Sequence, residues 1–187
     1  MSTGGDALLL IDLQEAFFED ETLARERGAL VATVSELARA ALDAGRPVLL
    51  ITTEHSRDRS TWTLSMLEDG QGYLFPGDPG TAVIEELDTR GMTRIEKTRD
   101  SAFLGTDLLL RLRNLDVDGI VVAGVSTHAC IAQTARDAYA HNIRASIVED
   151  AVADHRPEHH RATLDLLVED RQGTLVRSTT ALRRWRA

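Results

Sequence analysis

Three side chains in this sequence have types and positions suited to covalent chemistry: Cys130, Lys97 and Asp12. Cys130 is the sole cysteine, so no intrachain disulfide is possible. It follows Gly124-Val125-Ser126-Thr127-His128-Ala129 and leads into a helical stretch. That predicts a sulfur near a helix N-terminus, where the dipole and free amides favour thiolate and lower a thiol pKa that is ordinarily about 8.5. The amides of Ala129 and Cys130 are candidates for holding a developing oxyanion. Asp12 closes an apolar run, where a carboxylate must be hydrogen-bonded, paired or functional. It is placed to accept the thiol proton and return it to a leaving nitrogen. Lys97 is the only lysine among 21 basic residues. A chain that otherwise uses arginine keeps here a compact ammonium whose pKa can be moved. Taken singly, each has a plainer account: Cys130 as a small filler beneath a helix, Asp12 as a turn cap, Lys97 as a surface cation.

The elements that must position these residues follow from periodicity. Ala7 to Ile11 is a continuous apolar run short enough for a strand buried on both faces. Leu30, Val34, Leu37 and Ala41 recur at helical spacing until Gly45 and Pro47. Strands are predicted at Val48–Thr53, Met92–Glu96, Ile120–Gly124, Ile143–Glu149 and Thr174–Arg177. Helices are predicted around Val83, Ile84 and Leu87, from Leu108 to Leu115 with Thr106 as N-cap, from Ala129 to His141, and from Pro157 towards Glu169. The expected fold is one α/β domain spanning residues 1–187, a doubly wound, mostly parallel six-stranded sheet with helices on both faces. Ligands of such sheets bind beyond the carboxyl ends of the strands, near the point where strand order reverses. Asp12, Lys97 and Cys130 each lie just after a predicted strand, and their coincidence there weakens the plainer accounts. The stretch from Glu54 to Gly80 is long for a connection and reads as a lid or binding loop that sets the substrate.

Composition narrows the function. With 43% hydrophobic and 27% charged residues the chain is ordinary for a globular protein. No run approaches the roughly 20 apolar residues of a membrane span. The N-terminus, Met1 to Asp6, has no basic region before its apolar run, unlike a secretion signal, and a cytoplasmic location is expected. A net charge of -9 disfavours nucleic-acid binding. The basic tail Arg183-Arg184-Trp185-Arg186 reads as a solvated helix end. Gly70-Gln71-Gly72 lacks a leading strand and is weak as a phosphate loop. His128 is better placed to face elsewhere than to pair with Cys130, because Asp12 already fits the base role, and His159-His160 read as surface residues. Trp62 either closes over a ligand or packs against a neighbouring subunit.

The sequence resembles the isochorismatase-like cysteine hydrolase superfamily, which includes nicotinamidases and N-carbamoylsarcosine amidohydrolases. The likeness rests on Leu8-Leu9-Leu10-Ile11-Asp12-Leu13-Gln14 leading to Phe17, on Lys97-Thr98-Arg99-Asp100-Ser101-Ala102-Phe103, and on Gly124 to Cys130 followed by Thr134-Ala135-Arg136-Asp137-Ala138. The resemblance implies a catalytic triad of Asp12, Lys97 and Cys130 and a thioester formed as ammonia or an amine leaves. It also implies a cis peptide between Val125 and Ser126, pocket-lining roles for Phe17 and Phe103 beside Trp62, and a homo-oligomer. Nicotinamidases hold a metal through an aspartate and histidines after the second strand; here that place reads Thr52-Thr53-Glu54-His55-Ser56-Arg57, a poor ligand set. No metal and no cofactor are therefore expected. The expected activity is cleavage of a small amide or carbamoyl C–N bond. The alternatives are an isochorismatase-type vinyl-ether hydrolase and a catalytically idle binding module.

Overall fold

The computed structural model describes residues 5–186. Met1 to Gly4, part of the stretch read for a secretion signal, lies outside the described residues. Six strands form one sheet in which every pairing is parallel: β1 (Gly5–Ile11), β2 (Val48–Thr53), β3 (Thr93–Lys97), β4 (Val117–Val125), β5 (Arg144–Ala153) and β6 (Thr174–Val176). Their order is β3-β2-β1-β4-β5-β6, so the chain reverses direction across the sheet between β1 and β4.

The apolar strand runs are continuous because both faces are covered. Leu8 and Leu10 of β1, Val48 and Leu50 of β2, and Val121 and Ala123 of β4 face one core. That core is closed by α1 (Glu21–Asp43) and α6 (Ser178–Arg186). The alternate residues Leu9, Ile11, Leu49, Ile51 and Val122 face a second core under α3 (Leu108–Asn114), α4 (Ala132–Ala140) and α5 (Pro157–Glu169). The two-residue period of a strand thus sorts one apolar run into two cores. Asp20 caps α1 by accepting from the Thr22 and Leu23 amides, and Pro157 opens α5 as expected. The basic tail is helical: Ala181, Leu182 and Trp185 of α6 are buried, while Arg184 pairs with Asp6 and Arg186 with Glu36.

Two segments differ in kind from expectation, and the residue at the N-cap of α3 is Asp107 where Thr106 was expected. No helix forms around Val83, Ile84 and Leu87. The segment is a turn whose backbone bonds go to the chain after β1: Ile84 N–H donates to Leu13 O at 3.0 Å, and Val83 bridges Gln14. The apolar residues there bury as a clasp over the end of β1. The helix expected from Ala129 begins instead with a π turn, Thr127–Ile131, before α4. The segment from Glu54 to Gly80 contains a short helix, α2 (Leu64–Asp69), closed by Gly70 at φ 66°. Gly72 lies where a Cβ would fall 2.4 Å from the Trp62 ring, so this glycine permits ring packing. Among the described residues no helix is long and apolar enough to cross a membrane.

Candidate active site

The site sits beyond the carboxyl ends of β1 to β4, where strand order reverses. Ile11, the last residue of β1, pairs with Ile51 of β2 on one side and Gly124 of β4 on the other. Gly124 has φ 121°, and a Cβ built on it would lie 2.0 Å from Ile11 O. Only glycine permits this approach of β4 to β1. Directly after it, Asp12 adopts φ 54°, while its amide still donates to Ile51 O at 2.9 Å. The left-handed turn lifts the carboxylate off the sheet. Lys97 ends β3 opposite Thr53 of β2. The Val125–Ser126 peptide is cis, and the chain then enters the π turn that carries Cys130. Single π turns recur at functional sites.

These elements bring Asp12, Lys97 and Cys130 together. Lys97 Nζ lies 2.8 Å from Asp12 Oδ2 and donates to Cys130 Sγ at 3.3 Å. It also donates to Thr53 Oγ1 at 2.7 Å, whose hydroxyl donates on to Asp12 Oδ1 at 2.8 Å. The Lys97 and Asp12 side chains are 1% and 0% exposed. Gln14 braces this group from below: its Nε2 donates to Thr53 O and Thr81 O, each at 2.9 Å, and its Oε1 accepts from Thr53 N at 2.7 Å. Thr53 and Gln14 were not singled out in the sequence; Gln14 lay inside a quoted motif, and a threonine at a strand end carries no signal of its own.

Electrostatics departs from the sequence expectation of a thiolate. Burial pushes the Cys130 thiol well above its ordinary value, and the negative charge of the neighbouring Asp12 carboxylate adds to this; Lys97 opposes it. Burial alone would lower the Lys97 ammonium, but Asp12 and Cys130 outweigh it and hold it above its ordinary value. The sulfur is therefore held towards its thiol form. The physical reason is that Cys130 sits inside the π turn, facing an anion and shielded from water, instead of at an open helix end.

A cavity of about 320 Å³ opens over the sulfur. Phe17, His55, Tyr73, Arg99 and His128 help line it together with Lys97, Ala129 and Cys130. Phe17 is thus where the sequence reading put it. Trp62 and Phe103 are not in the lining. Trp62 packs beside Phe75, and its Nε1–H donates to Ser56 O at 2.9 Å, fastening the loop after β2. Phe103 is buried in the second core beside His141. The Ala129 amide, expected to bind an oxyanion, donates to Ser126 O at 3.2 Å, so that role would have to share it. His128 is engaged by Asp154, which accepts from its Nδ1–H at 2.7 Å.

His55, within the segment after β2, also faces the cavity. Its Nδ1–H donates to Thr61 O at 2.9 Å, which leaves Nε2 as an acceptor in the cavity lining. Burial, with Arg99 and Lys97 nearby, lowers its pKa and keeps it neutral. Glu54 pairs with Arg94 at 3.5 Å. Among the described residues no third His, Cys, Asp or Glu converges with Glu54 and His55, so the segment after β2 does not fit the metal that nicotinamidases hold there.

Comparison with known proteins agrees with this geometry. Residues 6–180 match the isochorismatase domain family. A protein of Arabidopsis thaliana described as a probable inactive nicotinamidase is 31% identical over 167 residues, covering 84% of this chain and 85% of that protein. The structure of a cysteine hydrolase from Pseudomonas syringae pv. phaseolicola superposes with a TM-score of 0.87 at 25% identity, over 97% of this chain and 92% of that one. N-carbamoylsarcosine amidase from Thermoplasma acidophilum gives 0.77 at 28% identity, over 92% and 96%. The family match spans nearly the whole chain, and the relative and the solved structures agree with it: this chain belongs to the isochorismatase family.

Proposed function

We propose that the protein hydrolyses the C–N bond of a small amide or carbamoyl compound through a thioester on Cys130. The observation that carries this reading is the Lys97 ammonium shared between Asp12 Oδ2 (2.8 Å) and Cys130 Sγ (3.3 Å) at the floor of a cavity. The cysteine-hydrolase and amidase names of the relatives support it.

In the first half-reaction the thiol proton passes to Asp12 as Sγ attacks the carbonyl carbon. Negative charge moves from the carboxylate through sulfur to the carbonyl oxygen while Lys97 stays beside Asp12 and Cys130, so the site is neutral overall before and after. A transfer of this kind needs little solvent reorganisation, which suits a buried site. The tetrahedral intermediate collapses as the C–N bond breaks, and Asp12 returns its proton to the leaving nitrogen, releasing ammonia or an amine. Asp12 then takes a proton from water as that water attacks the thioester carbon. The C–S bond breaks, the acid product leaves, and the thiol is restored. His55 Nε2, a neutral acceptor in the lining, suits a substrate with an N–H group.

Intact-protein mass spectrometry after exposure to pooled small amides tests the proposal. The expected result is an acyl adduct on Cys130 and complete loss of turnover in Cys130→Ala. Turnover that survives Cys130→Ala supports vinyl-ether cleavage with Asp12 as acid. Absence of both adduct and turnover across amides and vinyl ethers supports an idle binding module.

A further inference from the structure

Outside the triad, one buried charge has no permanent counter-ion. The Asp154 side chain is fully buried just beyond β5. Its Oδ2 accepts from the His128 amide at 2.7 Å and its Oδ1 from the Arg156 amide at 2.8 Å. Among the described residues no arginine or lysine pairs with it; its remaining partners are imidazoles. His128 Nδ1 is 2.7 Å from Oδ2 and 2.9 Å from Oδ1, and His155 Nδ1 is 3.6 Å from Oδ1. One atom from each of His128, Asp154 and His155 lies within 4.8 Å of the others, and no other group of three or more His, Cys, Asp or Glu among the described residues converges so closely. Capping the π turn accounts for Asp154, since that needs only backbone amides. It does not account for two imidazoles converging on the same carboxylate.

We propose that His128, Asp154 and His155 bind a divalent first-row transition ion in the wall of the cavity. Ligands of one tetrahedral ion with bonds of about 2.1 Å stand about 3.4 Å apart. The carboxylate-to-imidazole spacings of 2.9 and 3.6 Å bracket that figure. Two nitrogens and one oxygen suit zinc, cobalt or iron in preference to calcium or magnesium. On binding, the ion replaces the proton that His128 Nδ1 shares with Asp154, and that proton is released to solvent. The two backbone amides remain on the carboxylate and hold it in place, the supporting role that such donors play around metal ligands. Asp154 then faces the cation that its burial calls for. His128 and His155 both line the cavity above Cys130, so the remaining coordination positions open towards the bound molecule. This wall is formed by the segments after β4 and β5, distinct from the segment after β2 where nicotinamidases hold their metal. The inference is independent of the thioester reading.

Titration calorimetry with zinc chloride on the Cys130→Ala protein, which removes the competing thiol, tests it. The expected result is one ion per chain with a dissociation constant of about 10 µM or less, weakened at least tenfold by His155→Ala with an unchanged circular dichroism spectrum. Cobalt added to the native protein should give visible d–d bands without a thiolate charge-transfer band. No zinc binding in Cys130→Ala overturns the proposal, as does a cobalt–thiolate band. Binding that is indifferent to His155→Ala but lost in His159→Ala marks an exposed surface site and also overturns it.

Discussion

Lys97 is buried where lysine is expensive to bury, and its three partners explain why it is tolerated. Asp12 supplies the opposite charge at 2.8 Å, and Thr53 and Cys130 accept hydrogen bonds from the ammonium. Arginine, with a planar fork of five donors, would not fit between a carboxylate and a sulfur set this close. Thr53 relays the ammonium to Asp12 and fixes the carboxylate that we propose accepts the thiol proton. Replacing Thr53 by valine keeps the shape and removes the relay. A hydrogen bond to a charged group is worth about 1.5–3 kcal/mol, which corresponds to a fall in kcat of about tenfold to a hundredfold. Steady-state kinetics should show that fall with KM nearly constant, together with a lower melting temperature, because the same bonds are lost from the resting fold. A KM effect alone would assign Thr53 to substrate binding.

At the level of elements, the meeting of β1 and β4 controls the site. Gly124→Ala places a methyl group against Ile11 O and forces φ 121° on a residue with a side chain. We expect a loss of about 3 kcal/mol or more, read by denaturant unfolding. The control is Gly105→Ala, which shares a positive φ of 75° but has open space around it and should cost only about 1–2 kcal/mol. Equal losses would mean that backbone conformation matters and the close approach does not. These elements were largely legible in the sequence: β1 and β4 show unbroken apolar runs, and Pro157 marks the start of α5. The Val83–Leu87 segment misled because three apolar residues at helical spacing also suit a clasp whose hydrogen bonds go to the chain after β1. The triad was legible because strand ends converge in this topology. Trp62 and Phe103 were not, because an aromatic ring in a loop reads the same whether it faces a cavity or the core. The thiol's protonation state was illegible for a similar reason, since it depends on depth and on which way Asp12 points.

For the molecule as a whole, the raised thiol predicts a pH dependence of stability. A thiol that binds its proton more tightly in the folded chain favours folding below its unfolded pKa of about 8.5. That contribution fades as pH rises through the higher folded value. Lys97 adds a loss of the same sign at higher pH. Thermal melts from roughly pH 7.5 to 10.5 should therefore fall more steeply for the native protein than for Cys130→Ala. Parallel curves would show that the buried thiol is not perturbed. A different consequence follows from the sheet order. The ammonium is carried by β3, which has a neighbour on one side only, whereas Asp12 and Cys130 stand on interior strands. Outermost strands open first in native-state fluctuations. Fraying of that margin would withdraw the cation while most of the protein stays folded, leaving a carboxylate beside an inert thiol. On gentle warming, turnover should vanish several degrees before the helical signal does; coincident loss would place Lys97 in the most persistent part of the fold.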